Sequence, residues 1–106
     1  MALEDPDTLD AIAENADGKP NLVIVDDAHW PNDDERWDAL LAKLRSYIGY
    51  IYSQDFAAKF PGVAPREVTV EVVCKQPPSD RMSRLTSFAP RGDESDRIAV
   101  TYTIAD

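Results

Sequence analysis

The sequence predicts an α+β domain: a four-stranded, mostly antiparallel sheet in the order β-β-α-β-(α)-β, with one main amphipathic helix packed on one face. Three observations predict it. From Pro31 to Tyr52, Trp37, Leu40, Leu41, Leu44, Tyr47, Ile48 and Ile51 recur at the i, i+3, i+4, i+7 spacing that puts them on one helical face. Two later segments, Val68 to Lys75 and Arg97 to Ile104, alternate apolar and polar residues with the period of a half-buried strand. A length of 106 residues accommodates one compact domain, with enough apolar content for a modest core.

The elements follow in chain order. Leu9 to Ala16 and Asn21 to Asp26 are two short apolar-rich runs separated by Asp17, Gly18, Lys19 and Pro20, where Asp-Gly is a hairpin signal. Ala11, Ile12 and Ala13 make the weaker strand. Leu22 to Val25 is a continuous apolar run, the mark of a strand covered on both faces or central in its sheet. The main helix has a clear start: Asn32 with Glu35 reads as a capping box, and Asp33, Asp34 and Glu35 place negative charge where the helix dipole favours it. Trp37 and Tyr47 are expected in the core, Tyr50 and Tyr52 on the surface. Gln54 to Phe60 reads as a further helical turn, after which Pro61, Gly62 and Pro65 forbid regular structure.

In the third strand Val68, Val70, Val72 and Cys74 face one way; in the last, Ile98, Val100, Tyr102 and Ile104 do. Between them Gln76 to Asp96 is bounded by Pro77-Pro78 and Pro90-Arg91-Gly92. Ser79 there is placed to cap a short helix carrying Met82, Leu85 and Phe88.

Asp7 to Ala13, the run Leu22-Val23-Ile24-Val25-Asp26 leading to Trp30, then Leu41, Lys43, Leu44, Tyr47 and Ile51, then Val68, Val70 and Val72 resemble a family of small uncharacterised bacterial proteins known only as a domain of unknown function. The likeness covers roughly residues 5 to 75. It implies the α+β fold and a longer second helix before the last strand, and it assigns no activity.

The formal charge of −9 is unevenly spread, with 12 of the 20 acids in residues 1–38 against Lys19 and Arg36 alone. Such a field repels nucleic-acid phosphates and anionic lipid, so neither is expected as a partner. Lys75, Arg81, Arg84 and Arg91 against Asp80 make residues 75–92 a basic arm of net +3, suited to the acidic third of the same chain or of a second copy. Cys74 is the single cysteine, and no stretch approaches membrane-spanning length. With the acidic N-terminal residues Glu4, Asp5 and Asp7 unlike a signal peptide, the expected location is the cytoplasm.

Among residues able to carry chemistry, Asp26, Asp27 and His29 stand at a strand end just before a helix start, where paired carboxylates and an imidazole serve acid–base work or metal binding. Neighbouring strand residues point to opposite faces, so Asp26 and Asp27 converge only through a turn. Cys74 falls in register with Val70 and Val72 and reads as a buried small hydrophobe. Phosphate-cradling loops, dinucleotide fingerprints and zinc spacings are absent from the sequence, and no cofactor is expected.

Two features point to binding instead. Ala42, Ser46, Gly49 and Ser53 form a small-residue face opposite the apolar stripe, and Gly49 costs about 1 kcal/mol of helix propensity relative to alanine. The charge segregation offers Asp33, Asp34 and Asp38, with Tyr50, Arg81 and Arg84, as contact residues. The resulting expectation is a non-enzymatic, acidic protein-interaction module that binds a basic protein, in the manner of an adaptor or immunity-type neutraliser, or pairs with itself as a homodimer. The competing expectation is a small metal-dependent hydrolase built on Asp26, Asp27 and His29.

Overall fold

The computed structural model describes residues 11–26, 30–89, 92 and 96–104. Five strands, β1 (Ala11–Glu14), β2 (Pro20–Asp26), β3 (Thr69–Cys74), β4 (Ser87–Phe88) and β5 (Ile98–Ile104), form one mixed sheet in the order β1-β2-β3-β5-β4. Helices α1 (Asp33–Ile51), α2 (Gln54–Lys59) and α3 (Asp80–Arg84) and a 3-10 turn at Pro65–Glu67 connect them. The fold is α+β with one main helix, as the periodicities predict. The sheet, however, has five strands rather than four, and its two central pairs, β2–β3 and β3–β5, are parallel.

Helix length explains the first parallel pair. The 19 residues of α1 span about 28 Å, somewhat more than the roughly 23 Å of a seven-residue strand. The helix therefore carries the chain back to the end of the sheet where β2 began, and β3 must run beside β2 in the same direction. For the second pair, β4 supplies the descent: it pairs antiparallel with β5 through Ser87↔Ala99 and Phe88↔Ile98, leaving β5 to insert between β3 and β4. A two-residue strand has no readable period, and Phe88 belongs to it rather than to the short helix. That helix is five residues long, not the longer element the family resemblance implies.

The antiparallel β1–β2 hairpin forms as its Asp-Gly signal predicts. Gly18 takes φ +74, a left-handed conformation that glycine adopts without a Cβ clash. The Asn15 side chain organises the turn, its Oδ1 accepting from the N–H groups of Asp17 and Lys19 at 3.0 Å each.

Asn32 and Ser79 cap their helices as predicted, and Ser53 does the same for α2. Asn32 Oδ1 accepts from Glu35 N at 2.9 Å, and Ser53 and Ser79 accept from Phe56 N and Met82 N at the starts of α2 and α3. All three helices lie on one face of the sheet, since both parallel connections step in the same direction and such connections are right-handed. Their apolar residues Leu40, Leu44, Tyr47, Ile51, Phe56 and Met82 accordingly share one core with Leu22, Ile24, Val70, Val72, Ile98 and Val100 of the strands.

The buried stripe of α1 differs from the apolar one read in the sequence. It consists of Arg36, Leu40, Lys43, Leu44, Tyr47 and Ile51, while Trp37, Leu41 and Ile48 are only half-buried. Two cations thus sit on the inner face. Lys43 is fully buried with its Nζ 5.7 Å from the Tyr47 ring centre, and Arg36 has a carboxylate waiting for it. Tyr50 and Tyr52 are half-buried rather than exposed. Tyr50 meets Phe56 edge-on at 5.5 Å, because α2 folds back against the end of α1.

Candidate functional site

The parallel strands β2, β3 and β5 end together, and the register places Asp26 beside Cys74 and Cys74 beside Ile104. The start of α1 and the start of α3 converge on this end. Between them lies a cleft of about 200 Å³ lined by Trp30, Asn32, Asp33, Arg36, Gln76 and Ser79. This is the neighbourhood that the sequence singled out at Asp26.

Asp26 continues the inward alternation of Pro20, Leu22 and Ile24, so its carboxylate is carried into the protein and is only 2 % exposed. Both of its oxygens are engaged. Oδ1 accepts from the Trp30 indole N–H at 2.8 Å; Oδ2 accepts from Arg36 Nε at 2.8 Å and lies 2.7 Å from the adjacent guanidinium nitrogen. The same guanidinium donates to the carbonyls of Pro77 and Gln76 at 2.9 and 3.0 Å. One buried arginine thereby ties the end of β2, the first turn of α1 and the loop after β3 into a single knot, which Lys75 N tightens by donating to the Asp26 carbonyl at 3.0 Å.

A carboxylate that is almost wholly buried, with both oxygens turned to internal donors, has no open side from which to bind a metal or accept a substrate proton. Asp27 and His29, the other members of that candidate set, lie outside the described residues. Among the described residues no three His, Cys, Asp or Glu side chains are grouped so as to hold a metal ion. Cys74 is buried as expected, and burial followed by the Asp26 charge pushes its thiol up, against the opposing pull of Arg36. A thiol held in its protonated form is a weak nucleophile.

The outer rim of the cleft joins three of the predicted contact residues to one another. Arg81 reaches from α3 to Asp33 Oδ2 at 2.7 Å and Asp34 Oδ1 at 2.6 Å, and its guanidinium lies 5.3 Å from the centre of the Trp37 ring. The Ser79 hydroxyl and the Arg81 guanidinium hold the Asp33 carboxyl below the usual range. The basic arm therefore meets the acidic third within one chain, clamping α3 onto the start of α1. Asp38 and Arg84 are exposed, and the clamp does not include them. Tyr50 lies elsewhere, with Phe56. Among the described residues nothing lies within 4 Å of where a Gly49 Cβ would stand, so no described element approaches the small-residue face there.

A second arrangement went unread in the sequence. On the sheet face opposite the helices, the register sets three rows side by side: Asn21, Thr69 and Ala99; Val23, Glu71 and Thr101; Val25, Val73 and Thr103. Glu71 stands at the centre, its Oε1 accepting from Asn21 Nδ2 and its Oε2 from Thr103 Oγ1, both at 2.9 Å. Thr69 Oγ1 donates to Asn21 Oδ1 at 2.8 Å, extending the ladder. The missing signal was strand order. Only the pairing of β3 between β2 and β5 brings residues 21, 71 and 103 together.

Among the described residues no helix is long and apolar enough to cross a membrane. No curated protein and no solved structure matches the chain. A family model does match it, over residues 1–106, and its residues include the Leu22 to Asp26 strand, Trp30 and the inner face of α1 from which the knot and the core are built. The chain belongs to the family of unknown function DUF6572.

Proposed function

We propose that this protein is a non-catalytic interaction module that receives a basic protein partner on the sheet face opposite its helices. The observation that carries the reading is Glu71, a carboxylate oriented by Asn21 and Thr103 in the middle of a sheet face that the described helices leave bare. Half-buried Val23, Val25 and Val73 flank it on the adjacent strands and supply apolar contact area around a fixed negative charge. A lysine or arginine presented by a partner finds an acceptor whose side-chain entropy is already spent.

The charge distribution supports the same partner chemistry. Arg36 and Arg81 are held by acids of their own chain, and Lys19 lies 3.3 Å from Glu67. The formal net charge of −9 then sets the sign of the long-range field, which steers cationic partners toward the molecule.

The test is affinity capture from host lysate with three baits: the native chain, Glu71→Lys and the surface control Asp38→Asn. A basic protein retained by the native and control baits but lost with a folded Glu71→Lys bait supports the reading. Equal retention by all three baits, or nothing retained, overturns it.

A further inference from the structure

The described sheet has one edge without the protections that edge strands ordinarily carry. β4 covers β5 only at Ile98 and Ala99, and its last contact is the hydrogen bond from Val100 N to the Thr86 carbonyl at 2.8 Å. That bond fixes the orientation of the rest of β5. The backbone groups of Ala99, Thr101 and Thr103 point toward β3, while those of Tyr102 and Ile104 point outward, past the end of β4. Among the described residues no other strand pairs with this stretch. It contains no proline, no bulge and no charged side chain, the devices that ordinarily keep an edge from pairing. Ile104 sits there 57 % exposed, the one large apolar side chain exposed among the described residues.

We infer that the outer edge of β5 from Thr101 to Ile104 is a self-pairing surface, on which a second copy of this chain docks its own β5 antiparallel about a two-fold axis through Thr103. This surface adjoins the bare sheet face at Thr103 but is made by the backbone of the edge rather than by Glu71. In that register Tyr102 lies opposite Ile104 of the other copy and Ile104 opposite its Tyr102. Each of these pairs exchanges two backbone hydrogen bonds, four in all, so the edge is complementary to itself without any change in β5. Ile104 of each copy comes to lie beside Tyr102 of the other, an aromatic–aliphatic cross-strand pair that removes Ile104 from water. Thr103 meets its own counterpart on the opposite face as the closely spaced, non-hydrogen-bonded pair. Thr86, opposite Val100, stops the second strand from sliding further along β5. The product is a continuous ten-stranded sheet with the helices of both copies on one side. A contact of this length is small, so the dimer is a weak one that forms at high micromolar concentration.

Sedimentation equilibrium of the full chain from about 10 μM to about 1 mM tests the inference directly. The native chain is expected to rise from monomer toward dimer mass. Ile104→Pro deletes an outward N–H without touching the bonds to β3, and it is expected to weaken association about tenfold or more while leaving the circular-dichroism spectrum unchanged. Thr103→Cys is expected to form an intermolecular disulfide on mild oxidation, because the two Cα atoms of such a pair stand about 4.5 Å apart. Gly49→Cys, an exposed control, should cross-link far more slowly. A native chain that stays monomeric throughout, association that Ile104→Pro leaves intact, or Thr103→Cys cross-linking no faster than the control would each overturn the assignment. Because the capture assay changes the Glu71 side chain while Ile104→Pro changes only the outward edge, either proposal fails without deciding the other.

Discussion

Replacing Asp26 with asparagine changes one atom and removes the acceptor around which the strand-end knot is tied. The aspartate presents two acceptor oxygens, and the structure uses both, one for the Trp30 indole and one for the Arg36 guanidinium. Asparagine offers only one acceptor, so whichever way its amide turns, an N–H group faces one of these donors. Arg36 meanwhile remains 7 % exposed with its charge no longer balanced. Breaking a buried ion pair by removing one partner costs about 3–5 kcal/mol, and the lower figure is appropriate here because the Gln76 and Pro77 carbonyls still solvate the cation. With a urea m-value of about 1.5 kcal/mol/M, a loss of about 3 kcal/mol moves the unfolding midpoint down by about 2 M. Urea titration followed by tryptophan fluorescence measures this shift, and Trp30 lies within the perturbed corner. The pairwise change Asp26→Leu with Arg36→Met removes both charges together and should recover at least half of the loss. A midpoint within about 0.5 M of the native value for Asp26→Asn, at unchanged m, would refute the reasoning that this pair holds the strand ends to the helix.

Two further outcomes follow from other parts of the fold. Gly49→Ala should stabilise the chain by about 0.5–1 kcal/mol, since the site is exposed, mid-helical and has nothing within 4 Å of the new methyl group; a loss of stability by thermal melting would show that the helix face there is occupied. Tyr102 is pushed up to about 12 by burial. Its unfolded counterpart releases a proton near pH 10, so its contribution is intact below that pH and is lost as pH rises through the window up to about 12. Tyr102→Phe should therefore show a shallower loss of stability between pH 10 and pH 12 than the native chain, at the cost of the hydrogen bond to the Leu85 carbonyl; equal slopes would count against the burial of this phenol.

Much of the architecture was legible before any coordinates because local rules specify it. Asn32 and Ser79 cap the helices they precede, since a cap needs only a short side chain and a backbone N–H two or three residues on. Asp17-Gly18 makes its hairpin, and the period-two runs become β3 and β5 with Val70, Val72 and Val100 inward, because alternation follows from the geometry of a single strand. The acid-rich first third and the basic arm did meet, though the sequence left open whether within one chain or between two. What the tertiary structure decided was every feature that depends on which strands are neighbours and on who waits across the core. The parallel central pairs follow from the length of α1 and from a two-residue strand too short to show a period. Arg36 and Lys43 fall outside the apolar stripe of the sequence, although 36, 40, 43, 44, 47 and 51 share one helical face. A charge enters a core only where a partner waits for it, as Asp26 at the end of β2 does for Arg36 and the Tyr47 ring one turn along the helix does for Lys43. Glu71, set between Asn21 and Thr103, and the outward edge of Tyr102 and Ile104 have no signature along the chain, because a sheet assembles its faces and edges from residues that only folding makes adjacent.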